Sequence, residues 1–236
     1  ETSEVIPKQR FRLMLKLTYR LVDSGIAVSN SQRDWILGHK LAPPEKVIAI
    51  PQSRTCQEFL DLDLPNRMGG PLKIRAFGRF HKQKGFDLLV KAMARVPAHI
   101  AELKIAGEGP FENYLKVLAK DLPHVEICAP FESPNTFLAN ADLVAIPSRW
   151  EAFGLVGTEA RAAGRPILAA RVDGLQDQLD EYGFGHAPNC VSSIVKGIYK
   201  SATAMDLADR GLAVREKARR EFDEMIDAWE RLLQSA

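Results

Sequence analysis

Five short apolar runs recur along the last two thirds of this chain, beginning at Leu72, Leu103, Val125, Leu143 and Pro166, with helical stretches between them. A strand that is followed by a helix and then another strand returns to the same sheet through a crossover. Repetition of that unit therefore builds a parallel, Rossmann-like, doubly wound α/β sheet with helices on its faces. In such sheets ligands bind beyond the carboxyl ends of the strands, so the loops that leave the runs are where function is sought.

The most informative loop follows Leu143 to Ile146. It reads Pro147-Ser148-Arg149-Trp150-Glu151-Ala152-Phe153-Gly154-Leu155-Val156-Gly157-Thr158-Glu159-Ala160-Arg161-Ala162-Ala163-Gly164, a loop and then a helix closed by glycine. A helix start here points free N–H groups and the positive end of a dipole at an anion. Gly154 and Gly157 leave the backbone open to a phosphate. Glu151 and Glu159 would repel a phosphate at close range, whereas a carboxylate accepts two hydrogen bonds from a vicinal diol. The pattern describes a sugar on one carboxylate, a sugar or ribose on the other, and phosphate between.

A second anion cradle follows Leu72 to Phe77. It is Gly78-Arg79-Phe80-His81-Lys82-Gln83-Lys84-Gly85-Phe86, before a helix from Asp87 to about Arg95. Arg79 can grip phosphate oxygens bidentately and Lys84 supplies a compact positive charge. His81 lies in this loop and is the weaker candidate for a base; His39, His99, His124 and His186 lack metal-ligand spacing. Gly107-Glu108-Gly109-Pro110 after the second run is either a nucleotide-side turn or a plain tight turn.

From Pro147 to Pro166 the chain reads Pro-Ser-x-x-Glu-x-Phe-Gly-x-x-x-x-Glu-Ala-x-Ala-x-Gly-x-Pro. This resembles the donor-site signature of retaining GT-B glycosyltransferases of group 1, the family of bacterial lipopolysaccharide, capsule and phosphatidylinositol mannosyltransferases. The resemblance covers roughly Leu72 to Leu179. It implies that Arg79 and Lys84, in a Gly-Arg-x-x-x-x-Lys-Gly-x-Asp element starting at Gly78, hold the donor diphosphate, with the N–H groups around Phe153, Gly154 and Leu155. Gly107 lies beside the nucleotide and the Pro130-Phe131-Glu132 loop beside its base. Glu151 takes sugar hydroxyls near the anomeric carbon, and Glu159 takes the ribose. Glu151, Arg79 and Lys84 are then the catalytic set. Neither a protein nucleophile nor a metal or other cofactor is implied beyond the nucleotide diphosphate sugar itself.

Departures from the family also carry information. Asp23 to Ser29 matches Ala-Asp-x-Val-x-x-x-Ser at the end of the family's acceptor domain, with strands expected at Gly25 to Val28 and Val47 to Ile50. A helix is expected from Ser31 to Leu41, capped by Ser29 or Ser31. Residues 1–61 then read as the remnant of an N-terminal domain, 62–71 as a linker, 72–204 as the donor-binding domain and 205–236 as C-terminal helices. Pro51-Gln52-Ser53-Arg54-Thr55 stands where the family has Pro-Asn-Gly-Val-Asp, Pro130 replaces a glycine, and Asp177 replaces the Glu of a Gly-Gly-x-Glu turn. Glu181 to Pro188 is shorter and odder than the family's norm. Phe222, Met225, Ile226, Trp229 and Leu233 line one face of a last helix, which the missing domain would ordinarily meet. The chain begins at Glu1 rather than Met, which is expected of a processed product or a piece of a longer chain.

Composition sets the outer bounds. A hydrophobic share of 46% with 26% charged residues is that of a soluble globular protein, and a net charge of +2 directs the chain to no nucleic acid. Cys56, Cys128 and Cys190 have no paired spacing, so a reduced, cytoplasmic setting is expected. Lys8 to Val22 carries Phe11, Met14, Leu15, Leu21 and Val22 at helical spacing, with Arg12, Lys16 and Arg20 on another face. Such a helix either packs on a domain core or makes a peripheral membrane contact. The expected activity is retaining transfer of a hexose from a nucleotide sugar to a saccharide or lipid-linked acceptor in envelope or lipopolysaccharide biosynthesis. The alternatives are a catalytically incomplete donor-binding module that needs a partner acceptor domain, and a nucleotide-sugar epimerase of related fold.

Overall fold

The structure is a computed structural model that describes residues 9–55, 57–67, 69–131 and 133–234. Lys8, Cys56 and Glu132, which figured in the expectations above, lie outside them. At the start, α1 (Gln9–Leu21), β1 (Gly25–Ala27), α2 (Asn30–Gly38) and β2 (Val47–Ala49) form a small unit of their own, in which β1 and β2 pair in parallel. Ser29 Oγ accepts from Gln32 N at 3.1 Å, so of the two candidate caps it is Ser29 that starts α2.

The remaining strands are β3 (Leu72–Phe77), β4 (Ala101–Ala106), β5 (Val125–Cys128), β6 (Leu143–Ile146), β7 (Ile167–Ala170) and β8 (Phe184–His186). They form one sheet in the order β5-β4-β3-β6-β7-β8, with every pairing parallel. The chain steps outward from β3 to β5, then returns past β3 to β6. A crevice therefore opens at the carboxyl ends of β3 and β6, where the winding reverses. The expected fold class holds. The sixth strand comes from the stretch that is shorter and odder than the family's norm: β8 has three residues, one of them Gly185, too few for any periodicity to register.

Helices cover both faces. Leu88, Leu89 and Met93 of α4 (Phe86–Met93), Leu115 of α5 (Glu112–Ala119) and Ile194 and Ile198 of α8 (Val191–Ala202) pack against Leu72, Ile74, Leu103 and Ile105. On the other face Phe59 of α3 (Gln57–Leu60) and Phe137 and Leu138 of α6 (Pro134–Ala139) meet Val144, Ile146 and Ile167. They are joined there by Ala160 and Ala162 of α7 (Leu155–Ala162) and Ala218 of α9 (Leu207–Gln234). β6 and β7, covered on both sides, are buried at every position. Each wholly buried leucine or isoleucine stabilises the sheet by about 1.5–3 kcal/mol. Two arginines of the central motif are also interior. Arg161 pairs with Glu221 of α9, and Arg165 donates to the carbonyls of Leu138, Asp63 and Ala163 at 2.9, 2.6 and 2.8 Å. Burial pushes the Arg165 guanidinium down to about 10. Both hold the motif's helix in place rather than facing the crevice.

Candidate functional site

The β3–α4 and β6–α7 loops meet over the crevice, backbone against backbone. Gly85, between a 3-10 turn (Lys82–Lys84) and α4, has φ +67, and a Cβ there would stand 2.0 Å from the Pro147 carbonyl oxygen. On the other side Gly107, at the exit of β4, lies so close to the first loop that a Cβ would stand 2.0 Å from Gly78 O. Hydrogen bonds complete the seam. Arg149 N donates to Gln83 O at 2.7 Å, and Gln83 Nε2 donates to Trp150 O at 3.1 Å.

Arg149 also lays both guanidinium nitrogens on Asp87, each at 2.8 Å, and donates to Lys82 O at 2.6 Å. Burial pushes the Asp87 carboxyl up, but the Arg149 hydrogen bonds and charge, with Lys91 behind them, hold it below the ordinary carboxylate range. His81 accepts from Gln83 N through Nδ1 at 3.3 Å and caps the 3-10 turn, which gives it a structural task in place of a base's.

Within this frame Lys84 Nζ lies 2.5 Å from Glu151 Oε2, and Ser148 Oγ approaches the same oxygen at 3.4 Å. Glu151 is held from behind, because its N–H donates to Asp173 Oδ2 at 3.0 Å. Arg79 is exposed, and its guanidinium takes no hydrogen bond or ion pair among the described residues. Phe131 stacks on Phe137 at 4.8 Å and meets Phe77 edge-on at 5.2 Å, forming an aromatic rim beyond β3 and β5.

At the start of α7, Phe153 is buried, Gly154 adopts φ +95 and Leu155 is exposed. Gln178, itself buried, donates from Nε2 to the carbonyls of Phe153 (2.7 Å) and Gly154 (3.1 Å). In a trans peptide the N–H points opposite to the C=O. The N–H groups of Gly154 and Leu155 are therefore turned away from Gln178, which leaves them open to an anion.

Glu159 stands apart from Glu151, with a side chain only 5% exposed and paired through Oε1 with Arg54 Nη1 at 2.7 Å. Burial raises its carboxyl above the usual range, and Arg54 pulls it partly back. Thus Lys84 and Glu151 are brought together, Gly78 and Gly107 meet in the seam, Gly154 packs against Glu151, and Glu159 lies on α7 with its side chain buried. Arg54, Arg149 and Gln178 were not singled out from the sequence. Arg54 had one signal, its place in the segment that departs from the family's crossover. Asp177 was singled out only as a departure, and its carboxylate accepts from Ser31 N at 3.1 Å and Ser31 Oγ at 2.6 Å, pinning α2 to the main sheet.

A doubly wound sheet with two anion-directed loops and a carboxylate at its switch point defines a ligand-binding domain of the doubly wound α/β class. Residues 71–203 match the family described as Glycosyl transferases group 1, and the chain belongs to that family. An uncharacterized glycosyltransferase of Methanocaldococcus jannaschii is 39% identical over 106 residues, 42% of this chain and 27% of the relative. A D-inositol 3-phosphate glycosyltransferase of Corynebacterium aurimucosum is 34% identical over 187 residues, 66% of this chain and 43% of the relative. The crystal structure of Anabaena HepE in complex with UDP superposes with a TM-score of 0.85 at 18% identity, over 99% of this chain and 70% of that one, a likeness of fold. The chain thus spans less than half the length of these curated relatives.

Proposed function

We propose that the chain binds the donor in a retaining glycosyltransferase that moves a hexose from a nucleotide diphosphate sugar to a saccharide or lipid-linked acceptor. The observation that carries this reading is the Lys84–Glu151 pair at the switch point, beside N–H groups oriented by Gln178. Arg79 and Lys84 would neutralise the diphosphate, and the Gly154 and Leu155 N–H groups would take its oxygens. Glu151 would hold sugar hydroxyls at the junction with the leaving group, and Glu159, released from Arg54, the ribose. Preorganised positive charge where the leaving group gains negative charge is the largest expected catalytic contribution. As the bond from the anomeric carbon to the phosphate oxygen breaks, its electron pair stays on that oxygen. The acceptor oxygen bonds to the same face of the carbon, and its proton passes to the departing phosphate. Two cations in the first loop take the role a metal would otherwise fill. HepE was crystallised in complex with UDP, which makes uridine nucleotides the first donors to try.

A second reading is favoured by the short span of the chain relative to its curated relatives: a donor-binding module whose acceptor domain lies elsewhere. Calorimetric titration with UDP, GDP and their sugar conjugates tests the donor site. Binding near micromolar, about −8 kcal/mol, that an Arg79→Ala, Lys84→Ala double variant loses is expected. A folded chain that binds none of these ligands would overturn both readings. Transfer to an added acceptor separates the first reading from the second.

A further inference from the structure

Beside Glu151 stands a second carboxylate, which the donor reading gives no part in recognising the sugar. Asp173 opens a 3-10 segment (Asp173–Gln178) where the chain leaves β7, and its Oδ2 accepts the Glu151 N–H at 3.0 Å. We propose that Asp173 is a specificity-determining residue of the donor site: it keeps the site for uncharged hexoses and turns away sugars that carry a carboxylate of their own, the uronic acids. The proposal rests on the donor reading above and names the class of sugar within it.

Asp173 is held in place against its own backbone preference. Its φ is 38, in the left-handed region that glycine enters freely and other residues seldom do. Its neighbours fix it there. A Cβ on Gly174 would stand 2.0 Å from Ala152 O, so the turn is pressed against the backbone of the Glu151 loop. The far end of the same 3-10 segment is tied down by Asp177, which accepts from Ser31, and by Gln178, which donates to the carbonyls of Phe153 and Gly154. Mounted on a segment pinned at both ends, the Asp173 carboxylate has little room to retreat from an incoming charge.

The two carboxylates differ in their counter-charges. Glu151 meets Lys84 Nζ at 2.5 Å, and that ion pair largely cancels its field toward a bound sugar. Asp173 is exposed and takes no ion pair among the described residues, so its charge is the one left over. Other cations of these loops are engaged elsewhere. Arg149 is committed to Asp87, and the Arg171 guanidinium is laid over Gly185 of β8, where a Cβ would stand 2.6 Å from Arg171 Cζ.

The spacing suits a sugar ring. One hydrogen bond and the length of one glutamate side chain separate the two carboxylates, a span that a pyranose fills. Ring hydroxyls can donate to either carboxylate, so a neutral hexose is welcome. A carboxylate on the ring would instead meet Asp173 at close range in a crevice, where like charges repel more strongly than in open water. Discrimination then comes from repulsion of the wrong sugar rather than from an extra contact with the right one.

The test is calorimetry with matched donors: UDP-glucose against UDP-glucuronic acid, UDP-galactose against UDP-galacturonic acid, and GDP-mannose against GDP-mannuronic acid. In the pairs whose nucleotide binds, the native chain is expected to hold the neutral member at least about tenfold tighter at low ionic strength, with the ratio shrinking in roughly 0.5 M salt. In Asp173→Asn the ratio is expected to fall below about threefold. Asparagine tolerates the same backbone conformation, and its side-chain oxygen still accepts the Glu151 N–H, so charge is what changes. Reading the ratio within one variant removes any general loss of affinity. Nucleotide binding with a native ratio near one, or a ratio that neither salt nor Asp173→Asn moves, overturns the proposal and leaves the donor reading standing. A folded chain that binds neither UDP, GDP nor any conjugate overturns the donor reading, and the proposal falls with it.

Discussion

Glu159 carries its carboxylate where water barely reaches, and a single partner, the largely exposed Arg54, offsets that cost. Burial alone favours the protonated form. Because the folded pKa is raised above the ordinary 4.5, ionising Glu159 costs stability, by an amount that grows as pH rises from 4.5 through the folded value and is constant above it. Arg54→Ala removes the group that holds the shift down, so the Glu159 carboxyl should titrate higher still, read by carbon-13 NMR of labelled glutamate. An unchanged titration would mean that the pair contributes nothing in solution. The same contact bears on the donor: a ribose that reaches Glu159 has to share it with Arg54 or displace it. Neither Arg54 nor Gln178 was legible in the sequence as part of the site. A residue whose side chain acts on a segment 105 or 25 positions away leaves no local pattern. Lys84 and Glu151 were legible because each sits within a loop whose glycines and flanking strand advertise the chemistry.

At the scale of elements, the two anion loops behave as one piece. Gly85→Ala places a Cβ against the Pro147 carbonyl at a left-handed φ, and both terms destabilise. A loss of about 2–4 kcal/mol is expected in urea denaturation, with donor affinity falling alongside. A loss below about 0.5 kcal/mol would show that the loops can separate freely.

The Asp87–Arg149 fork gives a pH signature. The folded pKa of Asp87 is depressed, so its contribution is complete above the ordinary value of 3.8 and is lost as pH falls through the folded value. Native and Asp87→Asn chains should thus differ by about 3 kcal/mol at neutral pH and converge in acid. A gap that stays constant with pH would assign the effect to packing alone. The central strands β3, β6 and β7 could be read from apolar runs because burial on both faces writes a continuous signal, and β4 and β5 kept enough apolar residues over four to six positions to register. The three-residue β8 could not, since three residues with a glycine in the middle are too few to write a pattern.

Across the whole molecule, a two-stranded unit and a six-stranded sheet are joined by the Asp177–Ser31 contact and by residues 53–55, which lie over α7 and α9. α9 is unevenly anchored. Leu207, Gly211, Val214 and Ala218 are buried, whereas beyond them Ile226, Trp229 and Leu233 remain exposed. Amides from Phe222 to Gln234 should therefore exchange with deuterium faster than those from Gly211 to Ala218, by about a hundredfold or more. Uniform protection along the helix would mean that another surface covers its end. Among the described residues no helix is long and apolar enough to cross a membrane.

The contacts that Gly85 and Gly107 make with neighbouring loops also bear on how such a site can change over generations. Three loops pressed together backbone to backbone cannot lengthen or turn one at a time, so their shape is inherited as a block. Drift toward new sugars or acceptors is channelled to positions outside that block, such as the Phe131 rim and the Arg54 crossover. Anyone redesigning the chain for another substrate would do well to randomise those positions and leave the seam untouched.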